Sequence, residues 1–384
     1  MDRNEIQNKC LEALMDKKRA SINVSMGVGK TLIGLRHIEE MFNHPSYLEG
    51  EYYINGRHYK QKFLVVVPKL SVKKAWLDDM KKFKFLYKSI VDFTTYLGLK
   101  NKNPKYYHTV YLDECHSITP NNYPWLYKYC KEYSGRIVGL TGTYPKTGVK
   151  AQLCNGFCPC VYSYTPDDAV NDGILNHYKI IVHLLPLDER KNREKKNKEG
   201  KTFMSSEKLD YQYWDSICSD YYKSDSERMR DAIMRMKVLQ SFASKERYAK
   251  NLYEEQKEKT ILFATSTAQA NRIDKHLYHS KNIRSDTNLT DFKEGKINKL
   301  TCVEQLNEGV TIPGLKVGII MHSFSNNRKS AQKIGRLLRL SADDTSTIHI
   351  LCYENTVDER WVRNALADFE QENIKYKKAK FYGN

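Results

Sequence analysis

The sequence predicts two successive α/β domains, each a mostly parallel sheet flanked by helices, and three observations lead there. Short apolar, β-branched runs alternate with amphipathic stretches, as strand, turn and helix do in a doubly wound domain. The same grammar returns after a break. The chain of 384 residues also exceeds the usual size of one core.

In the first half, "ASINVS" (20–25), "FLVVVP" (63–68), "TVYLDE" (109–114) and "RIVGLT" (136–141) are uninterrupted runs that suit buried parallel strands. Between them, "KTLIGLRHIEEMF" (30–42) and "VKKAWLDDMKKF" (72–83) carry helical periodicity. Proline, glycine and acidic residues cluster in "SYTPDDAVNDGIL" (163–175), which puts the break there and the domains at 1–168 and 169–384. The second half repeats the pattern with "KIIVHLLPL" (179–187), "TILFATS" (260–266), "LTCVE" (300–304), "VGIIMH" (317–322) and "TIHILCY" (347–353) as strands. "DERKNREKKNKEGK" (188–201) reads as a solvated loop. "SERMRDAIMRMKVL" (226–239) reads as a helix with Met229, Ile233 and Met236 on one face. The basic, aromatic "KYKKAKFY" (375–382) reads either as a single-strand contact or as a solvated end.

Apolar stretches are strand-length, too short to span a bilayer, and "MDRNEIQNK" holds no apolar signal segment, so a cytoplasmic protein with no membrane contact is expected. Nine cysteines without a C-x-x-C pair argue against a disulfide framework. "CNGFCPC" (154–160) has irregular spacing for zinc, and small buried hydrophobes are the expected role of its thiols. The net charge of +17 points to a polyanionic partner, nucleic acid first, because Lys and Arg gain affinity by displacing condensed counterions.

Three constellations carry chemistry. "SMGVGKT" (25–31) lies between an apolar strand and an amphipathic helix, where backbone N–H groups and a helix N-terminus can meet phosphate. Its backbone from Met26 through Gly27, Val28 and Gly29 would cradle phosphates, Lys30 would reach the β- and γ-phosphates, and Thr31 a magnesium ion. A phosphate loop ordinarily has a further glycine where this chain has Val24. A glycine-rich turn that binds nothing has the same local look. In "VYLDECHS" (110–117), Asp113 and Glu114 would project from the carboxyl end of a strand, one beside magnesium and the other orienting water. An acidic turn closing a strand is the plain alternative. In "SAQKIGRLLRL" (330–340), Arg336 and Arg339 stand one helical turn apart and could stabilise a transferring phosphate; a solvated basic helix is the alternative.

In order, these stretches resemble the motif set of superfamily 2 helicases and translocases over nearly the whole chain. Gln7 resembles the upstream glutamine that reads adenine, "SMGVGKT" motif I, "VVVPKLSVKKAW" (65–76) motif Ia and "TTYLGL" (94–99) motif Ib. "DECH" (113–116) is similar to motif II and "LTGTY" (140–144) to motif III. "ILFATSTAQANRI" (261–273), "QLNEGVTIPGL" (305–315) and "QKIGRLLR" (332–339) resemble motifs IV, V and VI. Within the superfamily the nearer likeness is to phage UvsW-type and bacterial branch-migration DNA helicases, through "YSYTPDDAVNDGILNHYKIIVHLLPL" (162–187). Motif II ends in Cys-His, unlike the DEAD-box RNA helicases, and motif VI begins at Gln332 where that group has histidine.

The resemblance implies two tandem RecA-like domains with an ATP site in the cleft between them. Gln7, the loop residues, Asp113 and Gly309 would bind ATP, with Thr31 and Asp113 around Mg2+. Glu114, Gln332, Arg336 and Arg339 would serve hydrolysis. Lys69, Thr94, Thr95 and Thr311 would hold the nucleic-acid backbone, with DNA favoured over RNA. Motif V has Thr311 where aspartate is frequent. With Lys30 so near the first residue and 45 residues after Arg339 (384 − 339), a minimal, monomeric motor is expected, recruited by replication or recombination proteins. A clamp or sensor gated by ATP, and an RNA remodeller, share every motif.

Overall fold

The computed structural model describes every residue except 26, 50, 55–56, 198, 220–222, 304–311, 323–343, 368 and 381–384. The chain divides into two compact units, Met1–Leu175 and Asn176–Asn384.

The first unit is a six-stranded sheet with strand order β5-β4-β6-β7-β1-β8, and every neighbouring pair is parallel. The strands are β1 (Arg19–Val24), β4 (Lys62–Val67), β5 (Val91–Thr95), β6 (Tyr107–Asp113), β7 (Arg136–Thr141) and β8 (Cys160–Tyr164). Between β1 and β4, β2 (Glu51–Ile54) and β3 (Arg57–Lys60) pair as an antiparallel hairpin. Phe63 to Val67 of β4 are fully buried, as a central parallel strand covered on both faces requires. Helices Lys30–Phe42 and Leu70–Lys82 follow β1 and β4.

Parallel pairing has a consequence for the site. Asp113 ends β6 in register with Leu140 of β7, and Thr141 of β7 is in register with Asn23 of β1. The segments leaving β1, β7 and β6 therefore emerge side by side at one edge of the sheet, where ligands of open α/β sheets bind.

The second unit has seven strands in the order β13-β14-β12-β15-β16-β9-β17, again with parallel neighbours throughout. They are β9 (His177–Leu185), β12 (Thr260–Ala264), β13 (Leu277–Tyr278), β14 (Lys299–Val303), β15 (Val317–Ile320), β16 (Thr345–Tyr353) and β17 (Ile374–Lys378). Both units have the mostly parallel sheet flanked by helices that the sequence predicts.

Three segments differ from the sequence reading. Residues 188–201 are not all loop: β10 (Arg193–Lys196) pairs antiparallel with β11 (Thr202–Ser205). Alternation explains it. Arg193 and Lys195 face the buried Asp210 at 2.8 and 3.1 Å, and Arg193 also covers the Phe242 ring. The stretch from 375 contributes to β17, which extends the sheet beside β9 with its lysines exposed, a common guard on an edge. On helix Asp225–Gln240, Met229 and Ile233 are exposed, and the buried side instead carries Asp231, held by Lys223, and Leu239.

Cys154 and Cys158 lie with Cys115 in the apolar core of the first unit, while Cys160 is half-buried. Among the described residues, no group of three or more His, Cys, Asp or Glu side chains is arranged to hold a metal ion, and no helix is long and apolar enough to cross a membrane.

Candidate nucleotide site

The phosphate loop connects β1 to helix Lys30–Phe42. Gly27 and Gly29 have φ of 92° and 94°, a region that side chains with a Cβ rarely enter. A Cβ on Gly27 would also sit 3.2 Å from Leu175, and one on Gly29 3.2 Å from the Gln7 amide. Val24 occupies a different environment. It is the last residue of β1, fully buried and in register with Tyr164, so this position asks for a strand residue and a β-branched side chain fits it.

Gly29 caps the helix from left-handed backbone, without a hydrogen bond from any side chain. The first-turn N–H groups and the positive end of the helix dipole therefore face the loop, which suits an anion. The Lys30 ammonium lies 3.5 Å from the Val24 carbonyl. Gly142, the glycine of "LTGTY", approaches it so closely that a Cβ would stand 3.1 Å from Nζ. Val28 is buried behind the loop. Gln7 projects from helix Arg3–Met15, which Asp2 and Glu5 close with a capping box. Its Nε2 donates to the Val28 carbonyl at 2.7 Å, while Arg36 reaches its Oε1 at 3.4 Å.

Asp113 and Glu114 stand where β6 ends. Asp113 is buried, and its Oδ2 accepts a hydrogen bond from Trp76 Nε1 at 2.8 Å. Glu114 adopts φ 49°, ψ 59°. Left-handed backbone costs a residue other than glycine about 1–3 kcal/mol, and such strain gathers at functional sites. It turns the carboxylate back toward β7, where Oε2 accepts from the Thr141 hydroxyl at 3.3 Å and lies 3.3 Å from His116 Nδ1. His116 is itself 2.9 Å from Thr141 Oγ1. The acidic turn and "LTGTY" are thus tied through Thr141, a partner that sequence reasoning did not single out.

Burial pushes the Asp79 carboxyl above its usual range, with the charge of Lys82 and the Thr31 hydroxyl opposing it. The Thr31 hydroxyl and the Asp113 carboxylate are both oxygen donors, the kind of ligand that suits magnesium, which keeps several of its waters. The glycine cradle, the helix N-terminus and the lysine suit a nucleotide polyphosphate. The residues present fit both groups.

Lys69 is exposed and caps helix Leu70–Lys82, whose first residue, Leu70, is 72% exposed. Thr94 and Thr95 end β5, the neighbour of β4, and Leu97 just beyond is 83% exposed. The Thr95 hydroxyl accepts from the Gly98 N–H at 3.1 Å. Lys69, Thr94 and Thr95 thus share one corner of the sheet edge. Gly309, Thr311, Gln332, Arg336 and Arg339 lie outside the described residues, as does Met26.

Residues 1–105 match the family model of the Type III restriction enzyme res subunit, and residues 243–341 that of the helicase conserved C-terminal domain. Over 94% of its length the chain is 23% identical to the DNA 3'-5' translocase XPB2 of Sulfurisphaera tokodaii, spanning 83% of that protein. The Hef helicase domain of Pyrococcus furiosus is similar in fold, with a TM-score of 0.52, 14% identity and coverage of 94% of this chain and 97% of that one. So is the ATP-dependent Type ISP restriction-modification enzyme LlaBIII, solved bound to DNA. There the TM-score is 0.60 at 13% identity, over 99% of this chain and 31% of that one.

Proposed function

Because the chain belongs to the superfamily 2 DNA helicases and translocases, we propose that it hydrolyses ATP to move on DNA and remodel it, branched intermediates included. One observation carries the reading. The glycine loop after β1, Thr141 at the end of β7, and Asp113 and Glu114 at the end of β6 emerge side by side at one sheet edge.

In this reading Gln7 meets adenine, the N–H groups after Gly29 and the Lys30 ammonium hold the phosphates, and Thr31 with Asp113 holds Mg2+. The magnesium ion supplies charge neutralisation at the transferring phosphate. Glu114 orients an attacking water; Thr141 and His116 fix the direction of its carboxylate. Arg336 and Arg339, assigned by sequence, would stabilise the charge of the transferring phosphate. Lys69, Thr94, Thr95 and Thr311 take the DNA backbone. Exposed Leu70 and Leu97, beside the first three, suit contact with sugars and unstacked bases.

The experiment is hydrolysis of ATP with single-stranded DNA, with RNA of the same sequence and with neither, run beside a streptavidin-displacement assay of translocation. Hydrolysis should rise with DNA, rise less with RNA, and accompany displacement. A chain whose ATP turnover ignores nucleic acid would contradict the proposal. Stimulation without displacement would leave an ATP-gated clamp.

A further inference from the structure

Helix Leu70–Lys82 touches more of the site than the motif that opens it. Lys69 and Leu70 stand exposed at its start. Two turns on, roughly 10 Å along the axis, Trp76 is 1% exposed and donates from Nε1 to Asp113 Oδ2 at 2.8 Å. Asp113, which would face magnesium, is thus held by a helix whose other end is a DNA contact in the reading above.

The helix is not free to slide independently of the loop. Trp76 packs so closely on Gly34 of helix Lys30–Phe42 that a Cβ there would lie 2.7 Å from Cη2. Its other flank meets the Phe93 ring of β5 edge-on, with centroids 6.3 Å apart. Interiors packed to this density transmit displacement and do not absorb it.

A second arm starts at the neighbouring strand end. Tyr96 follows Thr94 and Thr95 directly and is buried. Its hydroxyl reaches the Asp113 carbonyl at 2.8 Å and the Glu114 carbonyl at 3.3 Å, while its own carbonyl accepts from Asn122 Nδ2 at 2.6 Å. The backbone that carries both carboxylates therefore hangs from a residue adjacent to the two threonines.

We infer that Trp76 and Tyr96 are positioning residues that convey DNA engagement at Lys69, Thr94 and Thr95 to Asp113 and Glu114. The inference rests on the proposed function. It goes beyond it by naming the side chains through which DNA raises the turnover of ATP.

Tyr96→Phe removes the two hydroxyl bonds and keeps the ring. Trp76→Phe keeps an aromatic ring against Gly34 and loses the N–H donor. Each is compared with wild type by the kcat and KM for ATP over a titration of single-stranded DNA, and by anisotropy of a fluorescein-labelled oligonucleotide. Tyr96→Phe and Trp76→Phe should each lower the factor by which DNA raises kcat roughly tenfold, the scale of a coupling free energy between sites. DNA affinity and KM for ATP should stay within about twofold.

If Tyr96→Phe keeps full stimulation, the inference is overturned, whether or not Trp76→Phe folds. It is equally overturned if stimulation falls only in proportion to DNA affinity or KM, which is the mark of a merely structural role. A wild-type protein with no DNA-stimulated hydrolysis would refute the proposed function itself, a result separable from either.

Discussion

Lowering the pH should loosen the first unit through His37. The ring lies within helix Lys30–Phe42, fully buried, with Nδ1 2.8 Å from the Tyr111 hydroxyl on β6. Burial, reinforced by the charge of Arg136, lowers its pKa from 6.5 to about 3. The folded unit therefore keeps His37 neutral, while the unfolded chain binds a proton below pH 6.5. Stability is whole above that value and is lost as the pH falls toward 3. Each pH unit in that window costs about 1.4 kcal/mol, so the loss at pH 5 is about 2 kcal/mol. His37→Gln cannot titrate, and its amide can still meet Tyr111. The chain has four tryptophans, so replacing Trp214 and Trp361 by Phe leaves Trp76 and Trp125 to report the first unit during urea unfolding. Between pH 7 and pH 5 the wild type should lose about 2 kcal/mol more than His37→Gln. His108, lowered to about 4 by burial, titrates in both proteins and cancels from the difference. Equal losses in the two proteins would refute the reasoning.

Three further outcomes are expected. Glu114→Gln should bind ATP normally yet lose at least about a hundredfold in kcat, because the bonds from Thr141 still find an acceptor but the water-orienting charge is gone; normal turnover counts against Glu114. Gly142→Ala places a methyl 3.1 Å from the Lys30 ammonium and 3.2 Å from the Val24 carbonyl. Crowding on that scale costs about 1–3 kcal/mol, so ATP affinity measured by a fluorescent analogue should fall roughly tenfold, and an unchanged affinity would mean that Lys30 does not contact ATP. Asp358→Asn strips the charge partner from the fully buried Lys245 ammonium. It should destabilise the second unit by about 3–5 kcal/mol, read from Trp214 and Trp361 in urea, whereas a shift below 1 kcal/mol would mean the pair is dispensable.

The strands that the sequence made legible are those covered on both faces. β4, β6 and β7 are continuous apolar runs because helices cover both sides of a central parallel strand. β5, β8 and β17 lie at sheet edges, where one flank needs no apolar side chain, and "VDFTT", "CVYSY" and "IKYKK" do not stand out as strands. Hairpin β10–β11 was hidden by its charge, since its inward side chains answer a buried aspartate. At the site, phosphate chemistry is local, so the spacing of Gly27, Gly29 and Lys30 could be read from one short stretch. Trp76 and Asp113 are 37 positions apart and meet only because β4 and β6 are neighbours, and periodicity carries no trace of such a contact. Nor does composition mark the left-handed turn at Glu114, since nothing in "DECH" announces it.

The place of β9 in its sheet sets the order in which the two units can mature on the ribosome. Every strand of the first unit has been made by Tyr164, before β9 begins. β9 then has both flanks open, because its partners are β16 and β17, and β16 begins 160 residues after β9 ends (345 − 185). At about 5–20 residues per second that interval is roughly 8–30 s. A nine-residue strand ending in "IIVHLL" spends that time without a hydrogen-bonding neighbour, as an adhesive edge for any other nascent chain. Holdase chaperones and slow codons would be expected to matter for the second unit and hardly at all for the first. A translation product cut short before Thr345 would pair a finished nucleotide-binding half with an insoluble remainder.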